Sequence, residues 1–308
     1  MDCLLFLIQT MSCFATSSAV RNSSSASRAL KDQFILFGAS GQIGRVIKKL
    51  LPEAQTLAWA EVAEMQPEEL KQRILKDMDP SSRKTAILAN GVTNPNLSEN
   101  ELMSSNLYFP QKVAKIFDGD SCFRMLTLGS IMENFPAACA KNTYLRSKLE
   151  LGCWMSRQAK RQVHQFLHVR IHTIYGAGLR PYMFLGQMRD ALMRSERFSI
   201  SSGNQLREYH HVEDIADALI KIAKMEWNFG PILELNSGQP VQLKQLAQEV
   251  FKAFHREKDL EVGGLENAPG ENFSVAFKRT PASFLPFFRD PIQGVICFLQ
   301  EELGAKER

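Results

Sequence analysis

Tyr144 and Lys148 stand four residues apart in "YLRSK". On a helix that spacing stacks both side chains on one face. A free phenol titrates near ~10 and is a poor base at neutral pH, but a neighbouring ammonium favours the phenolate. Such a pair can hand a proton to, or take one from, an oxygen held in front of it. Alone, it reads as an ordinary half-exposed helix face. A second group is Gly38, Gly41 and Gly44 in "GASGQIGR", spaced G-x-x-G-x-x-G. There the first glycine permits a sharp turn, the second lets a pyrophosphate approach the backbone, and the third allows close helix packing. The N–H groups that follow carry partial positive charge toward a phosphate. With Ser40, Gln42, Ile43 and Arg45 between and after the glycines, this loop is the candidate dinucleotide cradle. His164, His168 and His172 also recur every four residues, but "FLHVRIHTIYG" is β-patterned, which scatters them; no metal is expected.

The elements around these residues supply the context that the pairs lack. "QFILFGASGQIGRVIKKLL" reads strand, glycine turn, helix. "TLAW" (56–59), "TAILAN" (85–90), "CFRMLTLGS" (122–130) and "HQFLHVRIHTIYG" (164–176) read as further strands, separated by helical patterns over 67–75 and 97–117 and over 142–161. Asn142 or Thr143 would cap the helix carrying Tyr144 and Lys148. Strands alternating with helices predict right-handed crossovers and a parallel sheet. The expectation is an α/β fold, a Rossmann-type doubly wound parallel sheet with a smaller mixed α/β substrate lobe. Residues 33–175 would form the dinucleotide-binding domain and 176–308 the lobe, with 207–238 returning to the sheet.

In this order the motifs resemble the short-chain dehydrogenase/reductase superfamily. "GASGQIGR" is close to its extended, nucleotide-sugar branch, the NAD-dependent epimerase/dehydratase family. The resemblance runs from about residue 33 to 255 and implies NAD or NADP as cofactor. It makes Tyr144 and Lys148 catalytic, with Ser130, at the end of "MLTLGS", bonding the same substrate oxygen. It places Asn90 and Gly91 of "ANG" on the adenine and ribose side, and Asn106 on a helix supporting the active site and substrate. Arg170 and "YG" (175–176) resemble the family's R-x-x-x-x-Y-G. "REYHHVED" resembles its R-D-Y-x-H-V-x-D, in which Arg207 inherits the grip on a substrate pyrophosphate; His211 and Asp214 would order that loop. Arg180 is a further substrate-binding candidate.

Departures narrow the chemistry. Thr173 stands where epimerases often keep asparagine, "NAPGENF" (267–273) lacks the usual second basic contact, and Ile131 and Met132 replace the Asp–Glu pair of sugar dehydratases. The resemblance then favours a deoxysugar 4-ketoreductase, with a nucleotide-sugar epimerase as alternative. A non-catalytic dinucleotide sensor and a reductase of small carbonyls are the other readings; the intact Ser/Tyr/Lys set argues against the first and Arg207 against the second. No acid closes the second strand until Glu61, and Arg45 is ambiguous, so NAD and NADP both stay open.

Bulk properties agree with a soluble enzyme. The net charge of +4 over 308 residues gives no argument for nucleic acid or membrane. Six scattered cysteines read as reduced thiols, and a cytoplasmic location is expected. "LLFLI" is too short to span a bilayer, and residues 1–32 read as a disordered extension or an upstream start in preference to a targeting peptide. A homodimer is a family-level expectation only.

Overall fold

The structure is a computed structural model that describes residues 31–94, 96–159, 165–267 and 281–304. Residues 1–30, His164 and most of "NAPGENF" lie outside the described residues. The chain opens with β1 (Asp32–Phe37) and α1 (Gln42–Leu50), then β2 (Gln55–Leu57), α2 (Trp59–Val62), α3 (Pro67–Leu75) and β3 (Arg83–Leu88). α4 (Glu99–Met103) begins at a capping box between Ser98 and Glu101 and runs through a π-turn (Ser104–Tyr108) into α5 (Phe109–Ile116). β4 (Phe123–Ser130) leads through a 3-10 turn (Ile131–Asn134) and α6 (Pro136–Lys141) to α7 (Thr143–Ala159) and β5 (Phe166–Ile171).

These strands, with β10 defined below, make one parallel sheet in the order β10-β5-β4-β3-β1-β2. Successive strand residues point to opposite faces, and the sequence uses both. Phe34, Leu36, Ile87, Leu126 and Val169 pack on one face with Ile43 and Ile47 of α1. Ile35, Phe37, Ala86, Met125 and Phe166 pack on the other with Leu70 of α3, Val113 of α5 and Leu151 of α7. Burial on both faces explains why the strands read as unbroken apolar runs.

The expected strand over 164–176 is two elements. β5 stays in the sheet, while β6 (Thr173–Tyr175) leaves it and pairs with β9 (Tyr209–His211). The break falls at His172, whose Nε2 bonds Asn236 Oδ1 at 2.7 Å. Beyond β6 come α8 (Phe184–Arg194), β7 (Phe198–Ile200), β8 (Leu206–Arg207), β9 itself and α9 (Val212–Lys224). β10 (Ile232–Glu234) then joins the sheet beside β5. β11 (Val241–Gln242), α10 (Leu243–Ala253), β12 (Leu260–Val262) and α11 (Pro291–Gly304) complete the described chain. α9 lays Ile215, Leu219 and Ile222 on the α1 side of the sheet. The remaining elements share a separate apolar cluster around Leu185, Met188, Phe198, Phe251 and Leu299.

Candidate active site

The chain leaves β1 for β2 on one side and later places β3 on the other, so the two carboxyl ends part at a topological switch point. Gly38 sits there with φ +79°, and a Cβ on it would lie 2.6 Å from the backbone of Ala89 and Asn90 after β3. A Cβ on Gly44 would lie 2.0 Å from the Gly38 carbonyl oxygen. Only glycine fits either place. Gly41 is the N-cap of α1 and no side chain caps the first turn, which leaves its N–H groups to an anion. This cradle fits the phosphates of a dinucleotide. Ser40 and Arg45 are exposed at its rim, whereas Ile43 is buried in the core and offers the cradle its backbone alone. The Gln42 amide reaches the Gly176 carbonyl at 3.4 Å, and the Arg45 guanidinium lies beside Gly178. The loop after β6 is thereby laid over the cradle.

The π-turn grips the neighbouring loop. Ser105 Oγ donates to the Asn90 carbonyl at 2.9 Å, and the Asn90 amide returns a bond to the Ser105 carbonyl at 3.3 Å. Asn106, 1% exposed, donates to the Val92 carbonyl at 3.0 Å and accepts from its N–H at 3.1 Å. Its amide is thus spent on the 90–92 loop. Gly91 is pressed against Lys148: a Cβ there would meet Nζ at 2.7 Å. A π-turn is an uncommon insertion that tends to mark functional sites, and this one re-aims Ser105 and Asn106 toward that loop.

α7 carries Tyr144 and Lys148. Asn142 Oδ1 accepts from Leu145 N–H at 3.1 Å and so caps the helix. Lys148 Nζ lies 5.9 Å from the centre of the Tyr144 ring. Burial lowers the Lys148 ammonium to about 8 against the pull of the Glu133 carboxylate. Burial pushes the Tyr144 phenol up from 10, with Glu133 and Tyr182 adding to the rise. Burial therefore holds the phenol protonated, opposite to the lowering that the spacing alone suggests. The ammonium sits against Gly91, and burial dominates the phenol.

Ser130 closes β4 and starts the 3-10 turn. Its Oγ accepts from Met132 N–H at 3.2 Å, and its own N–H donates to Glu133 Oε1 at 2.6 Å. With Met132 N–H on one lone pair, the hydroxyl keeps a proton that it can donate. Arg207 borders a cavity of about 210 Å³ with Thr173, Leu179, Phe184, Tyr209 and Leu243. Its guanidinium donates to the Leu206 carbonyl at 2.7 Å. Arg180 is exposed in the loop before α8. His211 caps α9 by accepting from Glu213 N–H, and Asp214 accepts from Arg289 N–H at 3.0 Å. His168 and His172 serve separate hydrogen-bond networks, and no group of three or more metal-ligating side chains occurs among the described residues.

Two residues that sequence spacing did not single out border this site. Tyr182 Oη meets Thr93 Oγ1 at 3.2 Å, joining the loop after β6 to the loop after β3. Glu133 lies behind Ser130; its only signal in the sequence is the S-x-x-E spacing of a capping box.

The fold has many solved counterparts. A UDP-glucose 4-epimerase from Thermotoga maritima matches with a TM-score of 0.67 at 13% identity, over 89% of this chain and 99% of that one. A UDP-N-acetylglucosamine 4-epimerase from Methanobrevibacter ruminantium matches with a TM-score of 0.66 at 13% identity, over 91% and 100%. A GDP-L-fucose synthetase from Naegleria fowleri matches with a TM-score of 0.64 at 14% identity, over 90% and 94%. At such identities the likeness is one of fold. No curated protein sequence matches the chain. The model of the NAD dependent epimerase/dehydratase family matches residues 34–231, most of the chain and every motif from the glycine cradle to Arg207, and the protein belongs to that family.

Proposed function

We propose that the protein is an NAD(P)-dependent oxidoreductase that reduces the 4-keto group of a nucleotide-activated deoxysugar. The observation that carries this reading is the half-buried phenol of Tyr144, held protonated chiefly by burial, with Lys148 Nζ 5.9 Å from its ring centre and Ser130 closing the strand that precedes its helix. When bound, the nicotinamide supplies hydride to the carbonyl carbon. Tyr144 Oη gives its proton to the carbonyl oxygen, and Ser130 Oγ donates a hydrogen bond to the same oxygen as charge builds on it. Lys148, an ammonium below about pH 8, stabilises the phenolate left behind.

Two features support reduction over water elimination. Ile131, directly after Ser130, is buried in the core, and Met132 offers no acid or base. Arg207 beside a largely apolar cavity suits a diphosphate joined to a flat base. The solved counterparts whose names carry UDP- and GDP-linked sugars favour the same class of substrate. Purified protein mixed with NADH or NADPH and a panel of dTDP-, CDP-, GDP- and UDP-4-keto sugars tests the reading. Loss of reduced-nicotinamide absorbance with at least one sugar is expected. No oxidation with any of them would remove it.

A further inference from the structure

Behind the reacting groups lies a charged cluster that the proposed reaction does not use. Tyr144, Lys148 and Gly152 recur every four residues and share one face of α7. At Gly152 that face has no side chain, and the space is filled from the sheet: a Cβ there would lie 3.0 Å from His168 Cδ2 and 3.3 Å from Glu133 Oε2. Gly129, the residue before Ser130, opens the same space from β4, where a Cβ would lie 2.3 Å from His168 Nε2 and 2.5 Å from Glu133 Oε1. Two glycines, one on each wall, thus make the nook in which Glu133 is 0% exposed.

Three groups hydrogen-bond the carboxylate: His168, Arg170 and the Ser130 N–H. His168 Nε2 lies 3.1 Å from Glu133 Oε2, and His168 Nδ1 lies 2.8 Å from Thr127 Oγ1. Nε2–H donates to the carboxylate, and Nδ1 shares a hydrogen bond with the threonine hydroxyl. Arg170 Nε donates to Glu133 Oε2 at 3.0 Å, while its Nη1 donates to Asn134 Oδ1 at 2.6 Å. Burial alone would raise the Glu133 carboxyl, but His168 and Arg170 together hold it below its ordinary value, so it is a carboxylate. The groups that face it are His168 and Arg170 from β5, Tyr144 and Lys148 from α7, Cys139 from α6 and the Ser130 N–H from β4. Glu234 of β10 stands beyond Arg170, 3.8 Å from its Nη1.

We infer that Glu133 is a positioning residue for the reaction: one buried carboxylate fixes the Ser130 turn through its backbone N–H and holds a negative charge against the face of α7 that carries Tyr144 and Lys148. The inference rests on the proposed function for its meaning, but its test needs neither substrate nor cofactor.

The Lys148 ammonium is followed by NMR through lysine labelled with 13C at Cε, in the unliganded protein. In the unaltered chain its midpoint is expected at about 8. Removing the negative charge with Glu133→Gln should lower that midpoint by about half a pH unit or more. Arg170→Gln, which leaves the carboxylate uncompensated, should move it upward. A merely structural role gives a different pattern, since loosened packing admits water and raises the midpoint in both variants. A midpoint that rises in Glu133→Gln, or stays put in both, overturns the inference. If Glu133→Gln does not fold, Arg170→Gln decides: a rise with the native near-ultraviolet circular dichroism retained supports the inference, and an unmoved Lys148 sinks it. Failure of the sugar panel would leave this titration intact, so the two readings fail separately.

Discussion

Two buried carboxylates, Glu133 and Glu208, are each bonded to a histidine and to backbone N–H groups, yet they do different work. Glu208 Oε2 accepts from Ser237 N–H at 2.6 Å, from Ser237 Oγ at 2.8 Å and from His210 Nε2 at 2.9 Å, and Oε1 accepts from Gly238 N–H at 3.2 Å. Burial would raise it, but these bonds, with His172, hold it below its ordinary value. Its bonds come from N–H groups, a hydroxyl and an imidazole, so dipoles and imidazoles carry the compensation. Glu133 has the Arg170 guanidinium and sits within the field of Tyr144 and Lys148. Glu208 acts on the loop whose N–H groups it holds, whereas Glu133 acts on the Ser130 turn and, through its charge, on Lys148.

The sharpest way to break this contrast is to remove each charge in turn. Glu208→Ala strands the Ser237 and Gly238 N–H groups and His210, and should cost about 3–5 kcal/mol of stability in urea unfolding. The milder Glu208→Gln should leave the Lys148 midpoint at about 8. A Lys148 shift as large as that of Glu133→Gln would erase the distinction. Next in size is Gly129→Ala, whose added Cβ would fall 2.3 Å from His168 Nε2. It should cost about 3 kcal/mol, the upper end for overpacking, read as a lowered midpoint of thermal unfolding.

The smallest effect sharpens the Glu208 side. His172 is lowered from 6.5 to about 4, chiefly by burial, despite the opposing pull of Glu208. It is neutral in the fold, while the unfolded chain binds its proton below 6.5. Stability from this group is therefore complete above pH 6.5 and lost as pH falls through about 4. His172→Gln should flatten the slope of unfolding free energy in that window by up to one proton, ~1.4 kcal/mol per pH unit. An unchanged slope would mean that His172 is charged in the native protein.

The two carboxylates also mark where sequence reasoning stops. The glycine cradle, the Asn142 cap and the strand alternation are legible because each depends on residues within a few positions. Glu133 shows in the sequence only as the last position of an S-x-x-E spacing. It is buried because Gly129 and Gly152 vacate space on opposite walls, and because Arg170 arrives from a strand far along the chain. The break at His172 is hidden for the same reason, since its partner Asn236 is supplied by the segment after β10. The strand pairs β8–β11 and β7–β12 are two or three residues long, too short for any period to show. Local pattern thus reveals the dinucleotide half, and long-range polar pairing builds what surrounds it.

The central claim is that Tyr144 transfers the proton. It is tested by comparing the unaltered protein with Tyr144→Phe in single-turnover oxidation of NADH or NADPH by the 4-keto nucleotide sugar that the panel identifies. With reduced-nicotinamide binding intact by fluorescence, the variant should be slower by about 10²–10⁴-fold. A Tyr144→Phe protein that turns over at the unaltered rate would contradict the account.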